Sequence, residues 1–266
     1  MPLLGWIILF TAFGGIASAA FAGVFLLVPE QLGARIMPHF VSFATGALLG
    51  AALLALLPEA MAGVGPAGAH GIGIALVLGL GIFFVIEKLV LWRHATSHNH
   101  DHNGKHESHH DHDHHRDHAS GVLVLVGDSI HNALDGVLIA AAFLTNVPLG
   151  VVTTFAVAAH EIPHRVGDFA ILVNAGLSRV RALVLNLATG LASVVGGIIA
   201  YFGLQRAMGA LPYALAVAAA GFLYIAVAGL IPGLHRRADP RTSLGQVILI
   251  ALGVGIIAWA QSLAHE

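Results

Sequence analysis

The chain has 266 residues, of which 57% are hydrophobic and only 10% charged, with a formal net charge of −2 and no cysteine. Soluble domains carry about 25% charged residues, so this composition excludes an ordinary soluble fold and implies a multispanning membrane protein. The near-neutral balance excludes nucleic acid as a partner, and the missing thiols exclude disulfides, iron–sulfur clusters and thiolate metal sites.

Apolar runs of the ~20 residues needed to cross the hydrocarbon core, read against their breakers, predict an all-α polytopic protein embedded in the lipid bilayer. Eight spanning helices are expected near residues 3–28, 39–62, 70–92, 121–145, 148–174, 181–204, 211–234 and 243–264. The first contains Ala17-Ser18-Ala19, which fits a signal-peptide cleavage site. No Lys or Arg precedes it and the run continues through Val28, so an uncleaved helix is expected. Pro29 and Pro38 bracket the first connection. With that connection cytoplasmic, Arg35, Lys88, Arg93, Lys105, Arg116, Arg179, Arg181, Arg236, Arg237 and Arg241 all fall at cytoplasmic ends or loops, only Arg206 falls outside, and Arg165 lies within the fifth helix. Both termini then face outward from a cell inner (plasma) membrane. Ala44-Thr45-Gly46 leading to Leu57-Pro58 is echoed by Ala219-Ala220-Gly221 leading to Ile231-Pro232, which suits a 3+2+3 arrangement with an inverted repeat flanking a central helix pair.

Between the third and fourth helices, residues 94–118 carry His98, His100, His102, His106, His109, His110, His112, His114, His115 and His118 among Asp, Asn, Ser and Gly. Such a segment cannot bury a core and is expected to be a disordered cytoplasmic loop that binds metal weakly.

The central pair carries the chemistry. At about 100° per residue, Asp128, His131, Asn132 and Asp135 share one face of the fourth helix. His160, Glu161, His164 and Asp168 share one face of the fifth, with Arg165 at its margin. The tight turn at Asn146 to Pro148 makes the two helices antiparallel, so these faces can meet. A charged side chain at mid-membrane costs roughly 2.5–3.5 kcal/mol on insertion scales, and a cluster of them calls for a compensating partner. His131 with Asp135 and His160 with His164 are i, i+4 pairs, each able to hold one ion from a single helix. Imidazole with carboxylate suits zinc, iron, cobalt, nickel or cadmium better than calcium or magnesium. Pro163 frees the carbonyl of Ala159 at the same level. The competing explanation is a hydrogen-bonded cluster that only pins the two helices together.

The residues His131-Asn132-Ala133-Leu134-Asp135-Gly136 and His160-Glu161-Ile162-Pro163-His164-Arg165-Val166-Gly167-Asp168-Phe169-Ala170 resemble the paired helix motifs of the ZIP (Zrt- and Irt-like) metal transporters. Ser42-Phe43-Ala44-Thr45-Gly46, Leu57-Pro58-Glu59-Ala60 and Gly221-Phe222-Leu223-Tyr224-Ile225 extend the resemblance along the chain. It implies a homodimeric carrier that brings zinc, or iron, manganese, cobalt or cadmium, into the cytoplasm by sliding helices 1, 4, 5 and 6 against helices 2, 3, 7 and 8. It further implies that His131, Asp135, His160 and His164 hold the principal ion, and that Asn132, Asp135, Glu161 and His164 share a neighbouring one. Asn186, Asp128, Asp168 and Glu59 are accessory ligand candidates. Arg165 departs from the pattern, standing where the motif usually has a second Glu. A cation there should weaken a second metal or replace it electrostatically. Ala55, Gly229 and Gly233 replace residues that are often His or acidic.

Three alternatives stay open from the residues alone. His160-Glu161-Ile162-Pro163-His164 also satisfies the H-E-x-x-H zinc-protease pattern, with Leu134-Asp135-Gly136 as a further ligand element. A metal exporter would carry a similar His-rich loop. A membrane metal sensor would share every site residue and differ only in lacking alternating access.

Overall fold

The computed structural model describes residues 2–25, 28–98, 112–235 and 240–264, and within these every element is helical. Helix is what an apolar chain adopts in lipid, because it satisfies every backbone N–H and C=O within the segment. The helices are α1 (Leu3–Phe25), α2 (residues 30–64), α3 (residues 66–98), α4 (His112–Thr145), α5 (Val147–Asn174), α6 (Arg179–Gln205), α7 (Met208–His235) and α8 (Pro240–Ala264). Five runs among the described residues are long and apolar enough to cross a membrane: α1, Gln31–Leu89, α6, α7 and Thr242–Leu263. The second of these, 59 residues long, far exceeds the ~20 needed for one crossing and breaks at Gly65, whose φ of 65° lies in the left-handed region that only glycine enters freely.

Three boundaries differ from the sequence expectation, each for a backbone reason. The helix expected to begin near residue 39 begins at Glu30 and runs through Pro38. Proline removes only one backbone bond and is tolerated in membrane helices, where neighbouring groups re-satisfy the freed carbonyl. The stretch expected to be disordered from 94 to 118 is helical at both ends, since α3 continues to His98 and α4 starts at His112. Propagating an existing helix fixes one residue per added hydrogen bond, so polar residues can extend it. His100, His102, His106, His109 and His110 lie outside the described residues.

Local chemistry sets the ends of the site-bearing helices. Asn146 caps α5, its Oδ1 accepting the Leu149 N–H at 2.7 Å, with Pro148 in the first turn. At the other end, Gly176 adopts φ 88°, and the N–H groups of Gly176 and Leu177 donate to the carbonyls of Val173 and Leu172. This αL stop turns the chain sharply into α6.

The sequence echo has a structural counterpart. Single π-helical stretches at Ala51–Leu56 and Ile225–Leu230 run directly up to Leu57-Pro58 and Ile231-Pro232. Pro58 and Pro232 cannot donate to the carbonyls of Leu54 and Ala228, and the widened turn accommodates the missing bonds.

The helices pack in two groups. In one, α4 packs most extensively on α6, and α1 lies against α4, α5 and α6. In the other, α3 packs on α7 and α2 on α8. The groups meet chiefly through α5 against α2 and through α4 against α7 and α3. Large apolar side chains such as Val77, Leu78, Val180, Ile199 and Trp259 are left on the outside, a surface suited to hydrocarbon.

Backbones in the first group approach so closely that only glycine fits. A Cβ on Gly136 of α4 would overlap the Ser193 carbonyl of α6, and one on Gly196 would overlap the Ala133 carbonyl. Because both obstacles are backbone, Gly136→Val must push α4 off α6, a loss of about 1–3 kcal/mol by overpacking. A lower unfolding temperature in detergent is expected.

Candidate metal centre

The α4 and α5 faces meet as the antiparallel turn requires. Four atoms converge there: His131 Nε2, Asp135 Oδ2, His160 Nε2 and Glu161 Oε1, all within 4.8 Å of one another. The two imidazole nitrogens are 3.3 Å apart. His131 Nε2 lies 3.8 Å from Asp135 Oδ2 and 3.5 Å from Glu161 Oε1. His160 Nε2 lies 3.5 Å from Asp135 Oδ2 and 3.8 Å from Glu161 Oε1. Zinc bonds to nitrogen and oxygen of about 2.0–2.2 Å place tetrahedral ligand atoms roughly 3.3–3.6 Å apart, so these spacings suit one ion at the centre.

The hydrogen-bond inventory points to the same place. Among the described residues, Asp135 Oδ2 and Glu161 Oε1 are the carboxylate oxygens that are buried without a hydrogen-bond partner. Asp135 is 2% exposed and Glu161 fully buried. Native proteins rarely leave such groups unpaired, because the lost solvation is expensive. A dication between them would supply the missing partner.

Neighbouring side chains orient these groups. Glu161 presents Oε1 to the centre because its other oxygen accepts from Arg165 Nε at 2.8 Å. Arg165, read from the sequence as marginal to the polar face, is fully buried at the heart of the helix junction. Its Nη1 lies within hydrogen-bond distance of Asp128 Oδ2 (2.7 Å), Asn186 Oδ1 (2.9 Å), the Asn186 carbonyl (3.0 Å) and Thr189 Oγ1 (2.5 Å). Its Nη2 donates to Asn132 Oδ1. Asn132 Nδ2 in turn donates to Asp128 Oδ1 at 2.8 Å. Arg165 therefore ties α5 to α4 and α6 at once.

The remaining candidates separate from the four-atom centre. His164, expected beside His131 and His160, stands with Asp128 and Asp168 in a second group, its Nδ1 2.8 Å from Asp168 Oδ2. Its ring stacks on that of His131 with centroids 5.3 Å apart. Asn132 and Asn186 face Arg165, and Glu59 accepts from Asn146 Nδ2 at 3.4 Å, at the α4–α5 turn. The α5 helix runs on through Pro163 without interruption. Thr189 escaped the sequence reading, because a lone hydroxyl in an apolar helix carries no signal of its own.

The centre is open on one side. His131, His164, Asp128 and Asp168 line a cavity of about 430 Å³, together with Glu87 of α3 and Tyr224 of α7. The Tyr224 hydroxyl donates to the Glu87 carboxylate across that cavity. On another side, Phe222 of α7 packs near His160, ring centroids 6.4 Å apart.

Residues 3–261 match a family model described as ZIP Zinc transporter. The chain belongs to the ZIP zinc transporter family. Among curated proteins, it is 41% identical over 141 residues to Zinc transporter ZIP13 of Danio rerio, covering 52% of this chain and 40% of the relative. It is 40% identical over 145 residues to Zinc transporter SLC39A7 of Rattus norvegicus, covering 52% and 31% respectively. Zinc transporter foi of Drosophila melanogaster is 40% identical over 134 residues, covering 50% of this chain and 18% of that one. The matched stretches span well under half the length of these relatives. ZIP membership places the H-E-x-P-H run of α5 in a family of multi-pass membrane transporters, not among the intramembrane proteases that its H-E-x-x-H spacing also fits.

Proposed function

We propose that this ZIP chain carries zinc across the membrane into the cytoplasm through the four-atom centre on α4 and α5. The observation that carries the reading is the convergence of two imidazole nitrogens with two buried carboxylate oxygens that have no other partner. Two carboxylates balance one dication, so the loaded centre is close to neutral and tolerable in a low-dielectric interior. An N2O2 donor set favours zinc, with iron, cobalt and cadmium as competitors, over magnesium and calcium, which take all-oxygen shells.

Movement is assigned to the two packing groups. α1, α4, α5 and α6 form one body that contains every ligand, and α2, α3, α7 and α8 form the other. Sliding the first against the second would expose the centre alternately, in an eight-crossing protein with both termini outside. The cavity beside His131 and His164 is lined by the parts of α3 and α4 that lead toward the His-rich segment. With that segment cytoplasmic, the structure is the inward-open state, and the cavity is the exit.

The test is uptake into proteoliposomes of determined insertion. Zinc flux is expected, inhibited by cadmium and unaffected by millimolar magnesium. Zinc bound at the centre with no flux in either direction would favour a sensor, and flux only outward would favour an exporter.

A further inference from the structure

We infer that Arg165 is a built-in cation that fills a second ion position beside the zinc centre, so that this protein binds and moves one dication at a time. The inference rests on the transport reading above.

The second position is visible in the oxygen atoms gathered around the guanidinium. Glu161 Oε2, Asp128 Oδ2, Asn132 Oδ1, Asn186 Oδ1 and Thr189 Oγ1 all point at Arg165 from three helices. Two carboxylates, two amide oxygens and a hydroxyl form an all-oxygen shell of the kind a hard dication takes. It abuts the zinc centre, because Glu161 offers Oε1 to one and Oε2 to the other. A guanidinium occupies that shell permanently, since arginine does not deprotonate in proteins.

Charge gives the same answer. Of the groups that touch the four-atom centre or Arg165, Asp128, Asp135 and Glu161 contribute three negative charges and Arg165 one positive, leaving two, which one dication neutralises; Asp168 is paired separately with His164. A second dication would leave this set of groups with two uncompensated positive charges. It would also have to displace a side chain held at both ends of its fork. Arg165 thus sets the ion count and, through Glu161 Oε2, aims the shared carboxylate at the remaining ion.

The substitution that separates these roles is Arg165→Glu, which empties the oxygen shell and adds a carboxylate to it. Purified full-length protein would be loaded with cadmium chloride, and ions between α4, α5 and α6 located by anomalous scattering. Wild type is expected to show one ion, among His131, Asp135, His160 and Glu161. Arg165→Glu is expected to show two, the second beside Asn132 and Asn186. Should that variant fail to fold, Arg165→Gln, which keeps hydrogen-bonding capacity while removing the charge, is expected to bind the second ion as well. Two ions in wild type, or a single ion in a folded Arg165→Glu or Arg165→Gln protein, would overturn the inference and leave the zinc centre intact. A vacant four-atom centre in wild type would instead overturn the transport reading. Zinc uptake by wild type is expected to saturate with a Hill coefficient of one.

Discussion

Asp135→Asn is expected to lower zinc affinity by more than about 100-fold and to abolish uptake, exceeding the 10–100-fold losses typical of groups that only support a ligand. Asp135 Oδ2 is one of four converging atoms and is buried without any other partner. Neutralising it leaves two imidazoles and Glu161, whose charge is already shared with Arg165. The incoming dication would then sit among three buried carboxyl and guanidinium charges that sum to minus one. Removing Asp135 also relieves a buried, unpaired carboxylate, so the unloaded variant should be no less stable than wild type. Lost binding with an unchanged unfolding temperature is therefore the signature of a ligand. His164→Ala is the contrasting case: His164 lies outside the four-atom set and is half exposed, so binding at the centre should survive while release through the cavity slows. Unaltered zinc affinity in Asp135→Asn would refute the assignment of the centre.

Arg165→Met is expected to cost about 3–5 kcal/mol of stability, the usual loss when one member of a buried ion pair is removed. Methionine replaces much of the volume, but Asp128 and Glu161 keep their charges with no guanidinium between them. Asn132, Asn186 and Thr189 lose a shared donor at the same time. The measurement is unfolding in detergent, made with and without zinc. Adding Asp128→Asn to Arg165→Met should recover part of the loss, because it removes one of the orphaned charges, and the double-mutant cycle gives the coupling directly. An Arg165→Met protein as stable as wild type would show that the guanidinium is not the tie between α4, α5 and α6.

The membrane class and the polar faces of the fourth and fifth helices were legible along the chain because both are written in local pattern. Apolar runs report spanning helices, and i, i+4 spacing puts His131 with Asp135 on one face regardless of what lies opposite. Other features were hidden for equally physical reasons. Pro38 reads as a breaker in isolation, yet the helix passes through it. The ends of the His-rich stretch are polar enough to suggest disorder, yet they continue existing helices. Arg165 carried a usable signal, being a lone cation i+4 from Glu161 inside an apolar helix. Its partners Asp128 and Asn186 are 37 and 21 residues away in the chain, and no spacing rule connects them.

From its amino acids alone this protein is a membrane-embedded helical chain whose fourth and fifth apolar segments carry imidazoles and carboxylates suited to a transition-metal dication, since periodicity and donor chemistry are properties of each segment. Which four atoms meet, that His164 stands aside with Asp168, and that Arg165 gathers oxygens from three helices beside the centre were decided only by the packing of α4, α5 and α6. Helix rotation and the glycine-permitted closeness of α4 to α6 set those distances, and they depend on three segments fitting together at once.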